Sequence, residues 1–131
     1  MKLLLDTHIW IWAVSRPERL SRAVKREIDS PRNELFLSPI SIWEAHHLYR
    51  RGKLGLKGSF QLGLAELLAE LPVKEAPFDF LIAAESSRIQ LPQPDIGDTL
   101  LAATASALGL TLVTADAQLL SCAWLKTLAN K

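Results

Sequence analysis

Short apolar runs alternate with longer stretches of helical period along this chain, and the alternation predicts its architecture before any single residue is weighed. Strands are expected near 2–5, 34–37, 73–76, 110–114 and 122–125, and helices near 7–14, 20–29, 40–51, 60–71, 78–89 and 98–108. Strands interleaved with helices mean an α/β fold. Right-handed crossovers then place helices on both faces of a mostly parallel sheet. Leu62, Leu64, Leu67, Leu68 and Leu71 give one helix a broad apolar face that needs cover. The stretch from Thr99 to Leu108 carries no charge at all and is expected to be buried, with Gly109 ending it. Ile9-Trp10-Ile11-Trp12 is apolar on every side, which implies deep burial or an aromatic interface, core packing being the commoner case.

No repeat, low-complexity tract or linker interrupts the pattern, and 131 residues that are 49% hydrophobic suit one compact domain over 1–131. The apolar start is broken by Asp6 too early for a signal peptide. No stretch approaches the roughly 20 apolar residues of a membrane span, so no membrane role and a cytoplasmic location are expected. The single cysteine, Cys122, excludes an internal disulfide and, among Leu119, Leu120, Ala123 and Trp124, reads as a small buried hydrophobe.

A net charge of +1 conceals two unlike halves. Residues 1–57 carry 11 Lys/Arg against 6 Asp/Glu, and residues 58–131 carry 4 against 8. A basic half beside gathered acids suits a polyanion held near a cation, although Arg16, Arg19, Arg22, Lys25 and Arg26 are equally explained as solvated helix faces.

The chemistry concentrates in four acids. Asp6 and Asp116 each follow a strand-like run, at the point where a parallel strand ends and a loop begins. Ligands of open α/β sheets gather outside those carboxyl ends, so the two can converge on one cation. Glu44 lies in a helix that either Ser38, ahead of Pro39, or Ser41 can cap. In the second frame Ser41-x-x-Glu44 is a capping box, and taken alone that is the more economical explanation. Apolar Ile42, Trp43 and Leu48 nearby argue instead that the carboxylate has a partner to offset desolvation, and a cation would serve. Asp95 is expected to cap the next helix, with Asp98 in its first turn, where the helix dipole favours negative charge and the side chain faces the mouth of the structure.

In order, Leu4-Leu5-Asp6-Thr7-His8, Ser41-Ile42-Trp43-Glu44, Gly97-Asp98-Thr99-Leu100-Leu101-Ala102-Ala103-Thr104-Ala105 and Leu112-Val113-Thr114-Ala115-Asp116 resemble the PIN-domain ribonucleases. Within that family they resemble the VapC-type toxins of type II toxin–antitoxin systems. The likeness spans nearly the whole chain. It implies a three-layer α/β/α sandwich, metal-dependent hydrolysis of RNA, and a catalytic and metal-binding quartet of Asp6, Glu44, Asp98 and Asp116. Mg²⁺ or Mn²⁺ would fit such a site, because hard cations take oxygen ligands and Mg²⁺ uses only one or two protein carboxylates while keeping several waters. The ion would activate a water and neutralise charge developing at the phosphorus.

Thr7 and Thr114 sit beside the first and last acids as supporting hydroxyls, a β-strand threonine being the plain alternative for Thr114. His8, His46 and His47 are not expected to share one ion, since adjacent helical positions diverge. Many VapC-type chains carry arginine directly after the third acid. Here that residue is Thr99, and Arg50, Arg51, Lys53 and Lys57 are candidates for binding the RNA backbone in its stead, a solvent-facing basic turn being the alternative. The resemblance further implies a homodimer and a VapB-type antitoxin whose C-terminal segment crosses the acids. A housekeeping RNA-processing nuclease without an antitoxin, or a non-catalytic binding module, are the competing readings.

Overall fold

Leu3, Leu4 and Leu5 are all fully buried, which a strand can achieve only with elements packed on both of its faces. In the computed structural model, which describes all 131 residues, these leucines form β1 (Lys2–Leu5), the middle strand of five. It pairs in parallel with β2 (Glu34–Leu37) through Leu4 and Phe36, and with β4 (Thr111–Thr114) through Leu4 and Leu112. Two short parallel strands, β3 (Lys74–Glu75) and β5 (Thr127–Ala129), complete the order β3-β2-β1-β4-β5. From β1 the chain moves outward to β2 and β3, then crosses back to β4 on β1's other side. The switch point therefore lies between β1 and β4, and crevices at such points hold the ligands of open sheets.

Seven helices flank the sheet: α1 (Thr7–Ser15), α2 (Arg22–Asp29), α3 (Pro39–Arg50), α4 (Phe60–Glu70), α5 (Phe80–Glu85), α6 (Ile96–Leu108) and α7 (Ala117–Leu120). Strand side chains alternate between two cores, as a period of two requires. Leu3, Leu5, Leu35, Leu37 and Val113 face one core with Ile9 and Trp10 of α1, Val24 and Ile28 of α2, and Leu67 of α4. Leu4 and Leu112 face the other, with Leu101, Ala102 and Ala105 of α6 and Leu119 of α7. This is the three-layer α/β/α sandwich around a parallel sheet that the alternation of runs predicts. The small residues of α6 let it lie close on the sheet, and Gly109 ends it in the left-handed conformation at φ 65°.

Several expectations need correction. The apolar run 122–125 is not a strand: it is a turn closed by the Leu125 N–H donating to the Cys122 carbonyl at 3.1 Å, and β5 begins only at Thr127. Cys122 and Leu125 are apolar because they cover the second core, not because the backbone is extended. The segment expected as one helix over 78–89 is the six-residue α5 followed by a 3-10 turn at Ser86–Arg88. The helix near 20–29 begins at Arg22, after a 3-10 turn at Pro17–Arg19, and α7 is too short for its period to show in sequence. The leucine face of α4 is covered at Leu64, Leu67 and Leu71 only, while Leu62 stays 66% exposed.

Candidate active site

Each of the four acids is positioned by an element boundary. Asp6 follows β1, and its N–H continues the ladder by donating to the Val113 carbonyl at 3.0 Å. Its side chain caps α1, Oδ1 accepting the Thr7 N–H at 2.7 Å. The second oxygen, Oδ2, accepts from Thr114 Oγ1 at 2.7 Å, and that same threonine oxygen accepts the Asp116 N–H at 3.0 Å. One fully buried hydroxyl thus ties Asp6 to Asp116 across the switch point. Asp116 in turn caps α7, its Oδ1 accepting the Leu119 N–H at 3.1 Å.

Glu44 arrives from α3. Ser38 caps that helix, accepting the Ile40 N–H at 3.0 Å, so Ser41-x-x-Glu44 is not a capping box. Ser41 is instead fully buried with its Oγ 2.8 Å from Thr7 Oγ1, and Thr7 donates to Glu44 Oε1 at 2.5 Å. Glu44 Oε2 rests directly on Gly97 in the first turn of α6, where any Cβ would collide with it. Asp98 follows one residue later, its N–H donating to the capping Asp95 at 2.9 Å as the sequence suggests.

The quartet and Asp95 line one cleft of about 470 Å³, completed by His8, Ile9, Trp12 and Ala115. Crowding of like charge in a partly dry place leaves a clear electrostatic mark. Burial raises Asp6 above the ordinary carboxylate range against the pull of the Thr114 hydrogen bond, and raises Glu44 against the pull of Thr7. Asp98 is pushed up to about 7, first by burial and then by the charges of Asp95, Asp6, Asp116 and Glu44. A divalent cation would relieve this repulsion. No three His, Cys, Asp or Glu side chains stand close enough to enclose an ion directly. The donor set is all oxygen and spread around an open cleft, which suits a cation that retains part of its water shell and takes only one or two carboxylates.

Two further clefts meet this one at His8. On one side Thr7, His8, Trp43, Glu44, His47, Leu48 and Arg51 line a space of about 270 Å³. On the other, a larger groove of about 560 Å³ runs past Trp12 to Arg16, Arg19 and Lys53. Arg51 and Lys53 are thus brought to the flanks of the acids, whereas Arg50 is exposed at the end of α3 and lines none of the three clefts. Lys57 is likewise exposed and outside them. The histidines are scattered: His46 packs against Phe60 and His47 against Trp43, their centroids 4.8 and 4.4 Å apart respectively. Sequence reasoning missed Gly97 and Ser41 as neighbours of the Thr7–Glu44 pair, and the half-buried Trp12 as a cleft residue. For Gly97 the available signal was a glycine in the first turn of a helix with no backbone need for one.

A parallel sheet between helical layers, with carboxylates gathered beyond the ends of β1 and β4, defines an α/β protein with an acidic cleft at its switch point. The chain belongs to the PIN domain family, whose model matches residues 3–125. Among solved structures it is similar to VapBC2 from Rickettsia felis bound to a DNA fragment from their promoter (TM-score 0.71, 20% identity, all of both chains). It is also similar to DNA-bound VapBC from Salmonella typhimurium (TM-score 0.69, 17% identity, 100% of this chain and 99% of that one). FitAcB from Neisseria gonorrhoeae gives TM-score 0.64 at 24% identity, over 98% and 97% of the chains. No curated protein matches by sequence. At these identities the structural likeness establishes the fold.

Proposed function

We propose that the chain is a Mg²⁺- or Mn²⁺-dependent endoribonuclease of the VapC toxin type, acting as a homodimer and held inactive by a VapB-type antitoxin. The observation that carries the reading is the convergence of Asp6, Glu44, Asp98 and Asp116 on one cleft, with Asp98 raised to about 7 by its neighbours. A helix cap explains Asp116 and a first-turn position explains Asp98, but neither explains why the four meet. Membership of the PIN family supports a nuclease, and the VapBC complexes among the structural neighbours support the antitoxin.

The cation would supply Lewis-acid activation of a water and charge neutralisation at the phosphate. The chain's own residues supply position. Thr114 fixes Asp6 and Asp116 as a pair, Thr7 orients Glu44 from a buried shelf completed by Ser41, and Gly97 allows Glu44 to lie against the start of α6. Arg51 and Lys53 on the flanks suit the phosphates on either side of the scissile one. No helix is long and apolar enough to cross a membrane, and a cytoplasmic site of action accords with an RNA target.

Total cellular RNA incubated with the purified protein tests this directly. Discrete new 5′ ends are expected with Mg²⁺ or Mn²⁺, and none with excess EDTA or with Asp98→Asn. Cuts surviving both controls, or no cuts from protein free of any bound partner, would overturn the reading. Growth arrest on induction, relieved by the product of the adjacent gene, separates a toxin from a housekeeping nuclease.

A further inference from the structure

The groove beside the acids has a chemistry of its own. Its floor is Ile11, Leu48, Leu54 and Leu67, and its wall carries Arg16, Arg19 and Lys53. None of these three cations is in an ion pair, and no acidic side chain lines the groove. Three unpaired cations around an apolar floor have an anionic complement. Trp12 stands at the junction: it is half-buried, lines both the groove and the acidic cleft, and its ring carries the Arg19 guanidinium 5.6 Å from the centroid. His8 shares both spaces and lies 5.7 Å from Trp12, ring to ring, at a tilt of 53°. A stacked indole and guanidinium beside further cations is the arrangement by which proteins hold single-stranded nucleic acid, bases on π-faces and phosphates on Arg and Lys. The space, about 560 Å³, falls within the roughly 300–1,000 Å³ of ligand pockets.

We infer that this groove is a nucleotide subsite for the single-stranded RNA next to the scissile phosphate, with a base on Trp12 and flanking phosphates on Arg16, Arg19 and Lys53. The inference rests on the ribonuclease reading and extends it by assigning the element that orients the strand. Continuity through His8 and Trp12 delivers the chain from groove to acids without a break. Because every base has a π-face, the subsite selects unpaired strand over duplex rather than one base over another. An acidic helical segment of a protein partner has some of the same complementarity, but the groove leads past His8 and Trp12 into a cleft lined by Asp6, Glu44, Asp95, Asp98 and Asp116, which repels further carboxylates.

The test measures binding of short single-stranded oligoadenylate and oligouridylate, and of the matching duplex, to full-length Asp98→Asn protein in EDTA across a salt series. Arg16→Gln/Arg19→Gln is expected to lower the dependence of log affinity on log salt by about 1.4, two phosphate contacts at roughly 0.7 each for single strands. Trp12→Leu, which keeps the apolar floor, is expected to weaken single-strand binding roughly 5- to 150-fold with both sequences, and to leave the salt dependence intact. Arg32→Gln, before β2 at the opposite end of the sheet, changes neither. Groove variants within twofold of the parent, with metal-dependent cleavage by the unsubstituted protein intact, would overturn the subsite alone. A parent that binds no RNA and an unsubstituted protein that cuts none would overturn the ribonuclease reading with it. Unchanged RNA binding with a weakened antitoxin complex would assign the groove to the protein partner, and would equally overturn the proposal.

Discussion

Replacing Asp98 with asparagine takes one charge out of the most crowded point of the cleft, and no hydrogen bond is lost, since only the residue's backbone N–H is engaged by the capping Asp95. The folded-state pKa stands at about 7 against an ordinary 3.8, so the folded protein holds this proton more tightly than the unfolded chain does. The sign follows from proton linkage. The group costs nothing below about pH 3.8, costs progressively more as pH rises, and exerts its full penalty above about pH 7. At about 1.4 kcal/mol per pH unit that rise corresponds to about 4 kcal/mol. Asp98 is only half-buried, and solvent screening reduces the figure to about 1–2 kcal/mol. For a chain of this length, where 1 kcal/mol moves Tm by about 4 °C, Asp98→Asn is expected to raise Tm by about 4–8 °C at pH 8 in EDTA. At pH 5 the gap should shrink to less than half. Millimolar Mg²⁺ should then reverse the order at pH 8, because the parent gains a ligand that the variant has lost. Thermal unfolding followed by circular dichroism reads all three conditions. A variant less stable than the parent in EDTA at pH 8, or a gap that ignores pH, would refute the claim that Asp98 is held against its neighbours' charge.

Other perturbations probe the supports. Thr114→Val leaves a carboxylate oxygen of Asp6 and the Asp116 N–H without their partner, and urea unfolding should show a loss of about 1–3 kcal/mol; a loss under 0.5 kcal/mol, on the same scale, would mean that water replaces the hydroxyl. Gly97→Ala should cost both stability and cleavage by displacing the Glu44 carboxylate, and adding Glu44→Ala should recover the stability but not the cleavage. Additive stabilities in that cycle would show that the two residues do not press on one another. Thr7→Val frees Glu44 from its buried donor and should lower cleavage more than it lowers the melting temperature; equal effects on Thr7→Val and Thr104→Val, whose hydroxyl only donates to the Leu100 carbonyl, would deny Thr7 a role in the cleft.

The central layer of this fold is plain in the sequence because Leu3-Leu4-Leu5 and Leu112-Val113 are too apolar for any place but the middle of a sheet. The ends of α6 were readable for the same kind of local reason: Asp95 and Gly109 act on atoms a few residues away. What failed was context. Cys122 to Leu125 is apolar like a strand, but it is a turn in which Cys122 and Leu125 cover the second core while Ala123 and Trp124 stay exposed. Ser41 fits a capping box by spacing, yet its hydroxyl is claimed by Thr7, 34 residues earlier in the chain. Gly97 stands out in sequence only as a glycine without a local reason, because what requires it is the Glu44 carboxylate, brought in by another helix. The four acids could be nominated from sequence, whereas their mutual electrostatic pressure exists only once β1, α3, α6 and β4 have assembled.

The two outermost strands are the shortest, two residues in β3 and three in β5, and neither contributes a residue to the acidic cleft. Asp6 and Asp116 are anchored to adjacent inner strands instead, with their shared threonine on β4 and partners on both sides of β1. Opening of a sheet begins where pairing is least, at its margins. Either margin of this one can breathe, or be remodelled by insertion, without slackening the hydroxyl that joins the Asp6 carboxylate to the Asp116 backbone. The molecule keeps its tolerance for change at the rim and its intolerance at the hub, so amide exchange should find the Val113–Asp6 bond among the last to open.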